Sequence, residues 1–381
     1  MARESQGPST VQRGSLQVHW LCQLPTPYND ELFRAIDAQR VVDLIVHYER
    51  SVDSDWPWKS ELGSGYTHRF YRRALRVDWK VLRHAFRATP PFFVVAGWHE
   101  PTVVLLLIAL GLLRRPFAIW TDAPDLGRHR PFWRDQMRGM FLRWVFGRSF
   151  RVMGTGQLAL QNLRAMGCPE DRLVDLPCVI DAHAFPHAVR SAPALGTPLV
   201  FLSIGRLVEH KGYGLAMRAL ATAKQRGLSF RYRLAGVGPD EPALRKLAAE
   251  LGIAEHVEFA GWLEPQEIRE FLLGGHFFLH PARFEPFGVT VIEAMASGLP
   301  VIGSNQTGAV VDRVVDGQNG FVHRAGDVAS LTEQILRAAE SSRDLERMSA
   351  AAMNSARAWS PQRAARLVKD LAEAATRSAR E

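Results

Sequence analysis

Residues 283–302 have the sequence RFEPFGVTVIEAMASGLPVI, and this stretch decides the fold of the C-terminal half. Pro286 and Gly288 disfavour regular structure, whereas residues 289–297 have the apolar spacing of a helix, which a glycine then ends. A short β-rich run follows at residues 300–302. The order of loop, helix, tight turn and strand predicts one crossover unit of a parallel α/β sheet.

The same alternation continues upstream of this stretch. Further strands are predicted at residues 199–204, 230–235, 257–260 and 276–279. Helical periodicity occupies residues 216–226, 241–251 and 265–272 between them. Short β-rich runs that alternate with longer helical segments predict a Rossmann-like domain.

The N-terminal half has a similar but weaker pattern. Strands are predicted at residues 17–21, 41–47, 92–96, 117–120 and 150–153, with helices such as 30–38 and 102–113 between them. Residues 181–197 contain prolines and no periodicity, which is typical of a linker. We therefore predict an α/β protein with one Rossmann-like domain at residues 1–190, a second at 191–360 and a C-terminal helix within 361–381.

The length and composition agree with two folded domains. A chain of 381 residues is too long for one average domain, and its 47% apolar and 23% charged residues are ordinary for a globular protein. Cys22, Cys168 and Cys178 are too widely spaced for a zinc motif or a disulfide framework. Residues 1–14 lack the apolar segment of a secretory signal, and the apolar run 103–113 is about half the length that spans a bilayer. These features predict a cytoplasmic protein.

The net charge of +8 is concentrated in the first half of the chain. Residues 1–195 contain 25 Lys/Arg and 18 Asp/Glu, whereas the remainder contains 22 and 21. The N-terminal half is therefore expected to face a different kind of partner from the C-terminal half.

Two carboxylates eight positions apart stand at the beginning of the predicted helix 289–297. Glu285 lies in the entry loop, and Glu293 lies in the second helical turn, on the same face as residues 289 and 290. A helix N-terminus binds anions such as phosphate, and a carboxylate one turn further along can accept hydrogen bonds from vicinal hydroxyls. The alternative, two solvated glutamates with chance spacing, is disfavoured by the flanking proline and glycine.

Basic residues and glycines follow the first two strands of the same domain. Gly205 and Arg206 come directly after strand 199–204, and Lys211 lies five residues further on. A guanidinium and an ammonium group at the carboxyl edge of a parallel sheet are suited to a diphosphate, although each could also be a surface charge. Gly236, after strand 230–235, either contacts phosphate or simply closes a turn.

These motifs resemble those of retaining glycosyltransferases of the B fold, family 4. The similarity covers the second half nearly end to end, including the return Asn319-Gly320-Phe321-Val322. It implies two Rossmann-like domains facing across a cleft, with the C-terminal helix crossing back to the N-terminal domain. It also implies that Arg206 and Lys211 bind the donor diphosphate, Glu293 the ribose, and Glu285 with nearby amides the transferred sugar. The implied nucleotide-sugar site comprises Gly205, Arg206, Lys211, Gly236, Phe287, Gly288, Val289 and Glu293.

The N-terminal half resembles the same family more loosely. Residues 25–33, PTPYNDELF, are similar to the first strand-to-helix loop of members that begin with a Pro-Tyr turn, where the acceptor lies, but they lack the Gly-Gly pair of many relatives. Asp122 follows strand 117–120, where many relatives carry a histidine or an acid. The implied catalytic set is therefore Glu285, Arg206, Lys211 and Asp122.

The resemblance implies transfer of a hexose from a UDP- or GDP-linked sugar to a hydroxyl acceptor, with retention and without a cofactor or bound metal. A lipid-linked or cell-envelope glycan is the expected acceptor. The alternatives are a sugar-nucleotide epimerase of the same fold and a non-catalytic sugar-nucleotide-binding protein. A nicotinamide-dependent dehydrogenase is disfavoured because no Gly-x-Gly-x-x-Gly motif follows a strand.

Asp53-Ser54-Asp55 has the spacing of the metal-binding Asp-x-Asp of A-fold glycosyltransferases. An A-fold enzyme would not need a second Rossmann half. We therefore interpret residues 53–58 as a polar surface loop and predict no metal site.

Two basic, aromatic-rich segments account for much of the charge asymmetry. Residues 128–151 contain seven arginines and one acid, interleaved with Phe132, Trp133, Met140 and other large apolar residues, and residues 69–87 repeat the theme. Such helices bind anionic bilayers from the cytoplasmic side; the alternative is that one face packs on the sheet and the arginines are solvated. No nucleic-acid-binding motif accompanies them.

Overall fold

A computed structural model describes residues 16–51, 65–71, 77–127, 131–194 and 196–379. The N-terminal elements are β1 (Leu16–Cys22), α1 (Pro27–Ala38), β2 (Val42–Tyr48), β3 (Thr67–Phe70), α2 (Trp79–Ala85), β4 (Phe92–Ala96), α3 (Pro101–Leu112), β5 (Phe117–Thr121), α4 (Phe132–Arg148), β6 (Arg151–Gly154), α5 (Gln157–Ala165) and β7 (Leu173–Asp175). The C-terminal elements are β8 (Leu199–Ile204), α6 (Tyr213–Gln225), β9 (Phe230–Ala235), α7 (Glu241–Glu250), β10 (Val257–Gly261), α8 (Pro265–Leu273), β11 (Phe277–His280), α9 (Val289–Ala296), β12 (Val301–Ser304), α10 (Gly308–Arg313), β13 (Gly320–His323), α11 (Val328–Glu340), α12 (Leu345–Ala356) and α13 (Pro361–Ser378).

The strands form two parallel sheets, one in each half of the chain. The first has seven strands in the order β3-β2-β1-β4-β5-β6-β7, and the second has six in the order β10-β9-β8-β11-β12-β13. The central strands are almost completely buried because helices cover both faces of each sheet. The order reverses beside β1 and beside β8, and the crevice at such a switch point is where ligands bind.

The two predicted Rossmann-like domains are therefore confirmed, but three strands were not predicted. β3 lies at the edge of its sheet and is mostly exposed, so its sequence THRF lacks an apolar pattern. β7 lies at the other edge of the same sheet and has three partly exposed residues. β13 is a four-residue strand at one edge of the second sheet. β3 and β7 bury too little surface to leave a hydrophobic signal, whereas β13 is mostly buried but has only four residues, two of them glycine and histidine, which is too short for a pattern.

The expectation that residues 69–87 form one basic helix is wrong. Residues 67–70 belong to strand β3, and a helix begins only at Trp79, where the Asp78 side chain accepts hydrogen bonds from two backbone N–H groups. The sequence 67–70 pairs with β2 because its backbone can extend that sheet. Arg72, Arg73 and Arg76, as well as Arg128 and Arg130 of the other basic segment, lie outside the described residues.

The C-terminal helix α13 crosses back to the N-terminal domain, as expected. It packs against α1, and its buried face consists largely of alanines, including Ala364, Ala365 and Ala372. Small side chains allow close approach of the two helices, which explains the alanine-rich sequence. The helix therefore ties residues 361–378 to the first domain.

The connection between the sheets is held against the C-terminal domain at Arg190. The buried guanidinium group donates hydrogen bonds to the carbonyl oxygens of Leu272, Leu273 and Ser297, and burial lowers its pKa to about 10. The first sheet ends at Asp175 and the second begins at Leu199. The boundary placed near residue 190 stays a prediction within this interval.

Candidate functional site

A cleft of about 1790 Å³ lies between the two domains. Its walls are the loops that follow the carboxyl ends of β1, β4 and β5 on one side and of β8, β9, β10 and β11 on the other. These are the edges at which parallel α/β sheets bind ligands. The cleft is therefore the candidate site.

Two strand-to-helix turns of the C-terminal domain touch through their backbones. Gly236 has a φ of +130°, and a Cβ at this position would lie 2.0 Å from the carbonyl oxygen of Gly205. The Gly236 N–H donates to the carbonyl oxygen of Gly261, and the Gly205 N–H donates to that of Ala235. Close backbone contact alone is thus a sufficient reason for glycine at 236, and its phosphate contact stays a prediction.

The centre of the C-terminal wall is an ion pair between Lys211 and Glu285. The short turn that carries Lys211 ends at Gly212, whose φ is +73° and whose Cβ would lie 2.1 Å from the carbonyl oxygen of Pro281. The Arg283 N–H donates to the carbonyl oxygen of His210 at 2.8 Å. Both contacts bring the turn after β8 against the loop after β11, so two residues 74 positions apart meet.

Backbone hydrogen bonds fix the loop that carries Glu285. The Glu285 N–H donates to the carbonyl oxygen of Gln306, and its own carbonyl oxygen accepts from Gly308 N–H. Gly288, with a φ of +91°, then forms the N-cap of α9. Residues 286–290 line the cleft at this helix N-terminus, so backbone N–H groups and a helix dipole face the same space as the ion pair.

The Glu285 carboxyl group is held in its ionised form. Burial alone would raise its pKa, but the charge of Lys211 and the hydrogen bond from it outweigh burial, and the pKa lies below its ordinary value. His280, the last residue of β11, is buried 3.9 Å from Glu285, and burial lowers the pKa of this imidazole to about 4. A neutral histidine therefore lies beside a carboxylate at neutral pH.

Glu293 has the opposite electrostatic environment. Burial and the nearby charge of Glu31 raise its pKa to about 7, although Arg269 acts in the other direction. Glu31 belongs to α1 of the other domain, where its carboxylate accepts a hydrogen bond from the Asp181 N–H. The two carboxyl groups thus face each other across the cleft.

The N-terminal wall contributes Asp122, directly after β5. The side chain lines the cleft, where it is exposed to solvent, and it accepts a hydrogen bond from Thr155 Oγ1 at 3.1 Å. Desolvation raises its pKa, the Thr155 hydrogen bond opposes this effect, and the charge of Glu285 adds to it. Tyr28 and Cys178 lie nearby and also line the cleft.

The structure brings all the predicted site residues together at this cleft. They are Gly205, Arg206, Lys211, Gly236, Glu285, Phe287, Gly288, Val289 and Glu293 on one wall and Asp122 on the other. The sequence reasoning missed His280, although its position as the last residue of a buried strand is a usable signal. It also missed Arg269, on α8 of the same domain as Glu293, and Glu31, which only the approach of the two domains brings near Glu293.

Two further observations concern metals and membranes. Within the described part of the chain, no group of three or more His, Cys, Asp or Glu side chains could hold a metal ion. Asp53 and Asp55 lie outside the described residues. Among the helices that the structure describes, none is long and apolar enough to cross a membrane.

The two sheets, the cleft and the returning C-terminal helix define the class of protein, which is that of the glycosyltransferase B fold. HepE from Anabaena, solved in complex with UDP, superposes with a TM-score of 0.74 over 94% of this chain and 100% of its own, at 17% identity. The galactosyltransferase WaaB of the lipopolysaccharide outer core superposes with a TM-score of 0.68 over 94% of this chain and 99% of its own, at 14% identity. Identities this low establish the fold alone.

The family follows from the sequence of the second domain. Residues 188–355 match the family model of glycosyl transferases group 1, and the C-terminal domain belongs to that family.

Curated relatives match this chain over a little less than half of their own length. The putative colanic acid biosynthesis glycosyltransferase WcaL of Salmonella typhimurium is 32% identical over 50% of this chain and 48% of its own. A GDP-mannose-dependent alpha-(1-6)-phosphatidylinositol monomannoside mannosyltransferase of Mycolicibacterium smegmatis is 30% identical over 44% of this chain and 47% of its own. The chain spans about half the length of the curated relatives that it matches.

Proposed function

We propose that the protein is a retaining glycosyltransferase that moves a hexose from a UDP- or GDP-linked sugar to a hydroxyl group of a lipid-linked or other cell-envelope glycan. The observation that carries this proposal is the ion pair of Lys211 and Glu285 beside Arg206 and the N-terminus of α9. This arrangement offers two cations and a helix dipole to a diphosphate, with a carboxylate at the adjacent position for a sugar.

Donor binding uses the C-terminal wall. Arg206, Lys211 and the α9 N-terminus hold the diphosphate, and Glu293 accepts hydrogen bonds from the ribose hydroxyls. Because Lys211 already contacts Glu285, a phosphate bound to Lys211 lies next to that carboxylate, which places the sugar against Glu285. HepE, a protein of the same fold, was solved with UDP, which supports a nucleotide donor.

The chemistry is electrostatic and needs neither a protein nucleophile nor a metal ion. When the bond between the sugar C1 and the diphosphate oxygen breaks, Arg206 and Lys211 stabilise the negative charge of the leaving group. The acceptor oxygen forms its bond to C1 on the same face, and its proton passes to the departing phosphate oxygen. Configuration at C1 is thereby retained.

Asp122 orients the acceptor from the opposite wall. Its carboxyl group faces the cleft, and the hydrogen bond from Thr155 fixes its orientation. A carboxylate in this position accepts a hydrogen bond from the incoming hydroxyl and aligns its oxygen with the sugar. Asp122 thereby contacts the acceptor and completes the proposed catalytic set.

We also propose that the acceptor is reached at the cytoplasmic surface of an anionic membrane. Only Leu142, Val145 and Phe146 of the 17 residues of α4 are buried, and all three are in its C-terminal half. The other half exposes four large apolar side chains to solvent, which are Phe132, Trp133, Met137 and Met140. Exposed apolar residues among arginines are typical of a helix that lies on a bilayer.

The names of two relatives support an envelope or lipid acceptor. One is named as a putative glycosyltransferase of colanic acid biosynthesis, and the other is named for a phosphatidylinositol monomannoside.

An acceptor-dependent assay tests the proposed activity. The chain is incubated with each of a panel of UDP and GDP sugars, with and without lipid-linked glycans, and released nucleoside diphosphate and product mass are measured. Acceptor-dependent release of UDP or GDP is expected, and EDTA should not change the rate. Isomerised donor without release would indicate an epimerase, and binding without turnover would indicate a non-catalytic protein. A reaction that EDTA stops and Mg²⁺ restores would contradict the metal-free mechanism.

A further inference from the structure

The cleft continues beyond the catalytic residues into the N-terminal domain, between helices α3 and α4. Its wall there consists of Val104 and Ile108 from α3 and Phe141 from α4, above Trp98. All four side chains are apolar over most of their surface. Neither the proposed donor site nor the proposed transfer step uses this part of the cleft.

The helices leave this groove because they meet only further from the cleft. Near the C-terminal end of α3, a Cβ on Gly111 would lie 2.6 Å from the ring of Trp144, so the two helices are in close contact there. Val104 and Ile108 are one turn apart on the same face and stay partly exposed. The groove is therefore open at its cleft end and closed by packing at the other.

One cation stands in the groove wall. The Arg138 guanidinium lies over the Trp98 ring, 5.8 Å from its centroid, and lines the cleft together with His99, Asp122 and Asp125. On the outer surface of the same helix, Met137 is 60% exposed. The groove thus has apolar walls with a guanidinium beside them, on the same helix that carries the exposed apolar surface.

We propose that this groove binds the hydrocarbon chain of the acceptor, with the acceptor phosphate at Arg138. A chain in this groove places the glycan hydroxyl at Asp122. A peptide is a poorer occupant because the walls are helices, whose backbone groups are bonded internally and leave no partners for a peptide backbone. The inference rests on the proposed transfer to a lipid-linked acceptor and names the part of the acceptor that the N-terminal wall recognises.

Binding of farnesyl diphosphate, a soluble amphiphile with the same chemistry, tests the groove. Titrations are carried out calorimetrically on the full chain with saturating UDP, so that the donor diphosphate site is occupied. Inorganic diphosphate supplies the charged group alone, and farnesol supplies the chain alone. We expect farnesyl diphosphate to bind about tenfold more tightly than either part.

Two variants fill the groove, and one is a matched control. Ile108→Trp and Val104→Trp should each weaken farnesyl diphosphate binding about tenfold, because the added ring occupies the space of the chain. Leu112→Trp adds the same ring to α3 at a position that is 71% exposed and outside the cleft lining, and it should leave binding unchanged. UDP affinity and thermal unfolding show whether each variant is folded.

The outcomes separate this inference from the proposed function. If UDP does not bind the unmodified chain, the proposed function fails first. If UDP binds but both filling variants bind farnesyl diphosphate as tightly as the unmodified chain, the groove assignment is overturned. Equal affinity for inorganic diphosphate and farnesyl diphosphate would also overturn it, because the chain would then contribute nothing.

Discussion

The two walls of the cleft are built on different physical principles. The C-terminal wall is a set of charged groups and backbone turns packed so tightly that a Cβ at Gly212 or Gly236 would collide with a carbonyl oxygen. The N-terminal wall is largely apolar and aromatic. Ile108 and Phe141 are partly exposed on this wall, and the buried Trp98 lies at its base. Hydrogen bonds and ion pairs hold the C-terminal wall in place, whereas the N-terminal wall is defined mainly by the shape of its apolar side chains.

This difference shows where selectivity must come from on each side. A diphosphate has the same charge in every nucleotide sugar, so a rigid, preorganised wall can serve any donor of this class. An apolar groove discriminates by length and width, and one methylene group changes affinity only modestly. Changes in the charged wall should therefore have large effects, and changes in the apolar wall smaller ones.

The largest effect is expected for Glu285→Ala. Transfer should fall by about a thousandfold or more, because the ionised carboxylate proposed to contact the sugar is lost while the proposed diphosphate ligands remain. UDP affinity, measured by calorimetry, should stay within about twofold or increase, since Lys211 loses its competing partner.

Glu285→Gln is the control for this change, because it keeps the size of the side chain and removes its charge. It should be nearly as inactive as the alanine variant. Turnover close to that of the unmodified chain in either variant would contradict the role of Glu285.

Arg206→Ala should reduce transfer about a hundredfold and also weaken UDP binding. Removing one preorganised charge at a developing anion typically costs about 3 kcal/mol. The exposed Arg283, in the loop before Glu285 and outside the cleft lining, is a matched control. Steady-state kinetics of both variants check the assignment, and equal losses for Arg206→Ala and Arg283→Ala would contradict it.

The sequence predicted the charged wall better than the apolar one for a physical reason. Arg206, Lys211 and Glu285 follow strands with largely buried apolar runs, and Glu293 lies on the helix after one of them, so their positions near the sheet edge were predictable. The pairing of Lys211 with Glu285 was not, because it depends on a backbone contact between two distant loops.

On the N-terminal wall, the helix α4 was expected from its composition, but its groove with α3 was not. That groove depends on where the helices touch, which is set by Gly111 and Trp144 rather than by any periodicity. The basic segment 69–87 was misinterpreted because charge alone does not distinguish an edge strand from a helix.

The exposed arginines of α4 offer a smaller but measurable effect on membrane binding. Arg134→Glu with Arg143→Glu should weaken binding to vesicles of anionic lipid by about tenfold or more, because each basic residue near the surface contributes about 1 kcal/mol. Flotation with anionic and neutral vesicles at two salt concentrations measures this. A double variant of the exposed arginines of the other domain, Arg218→Glu with Arg226→Glu, has the same change in net charge and should bind normally. Equal flotation of the unmodified chain with neutral and anionic vesicles would contradict the membrane proposal.

The smallest effect concerns stability and comes from Glu293→Gln. The pKa of Glu293 is raised to about 7 because burial and Glu31 disfavour the anion, whereas an unfolded chain ionises at the ordinary, lower pKa. The unmodified protein therefore loses stability as the pH rises from about 5 past 7, and a neutral glutamine removes this loss. Glu293→Gln should be more stable by on the order of 1 kcal/mol at pH 8, after allowance for partial solvent access, and by little at pH 5. Nucleotide affinity should fall, because an amide oxygen is a weaker acceptor for the ribose hydroxyls than a carboxylate.

Urea unfolding at pH 5 and pH 8, with the exposed Glu333→Gln as control, measures the difference in stability between Glu293→Gln and the unmodified chain. A stability gain that is the same at pH 5 and pH 8 would show that Glu293 does not ionise with a raised pKa.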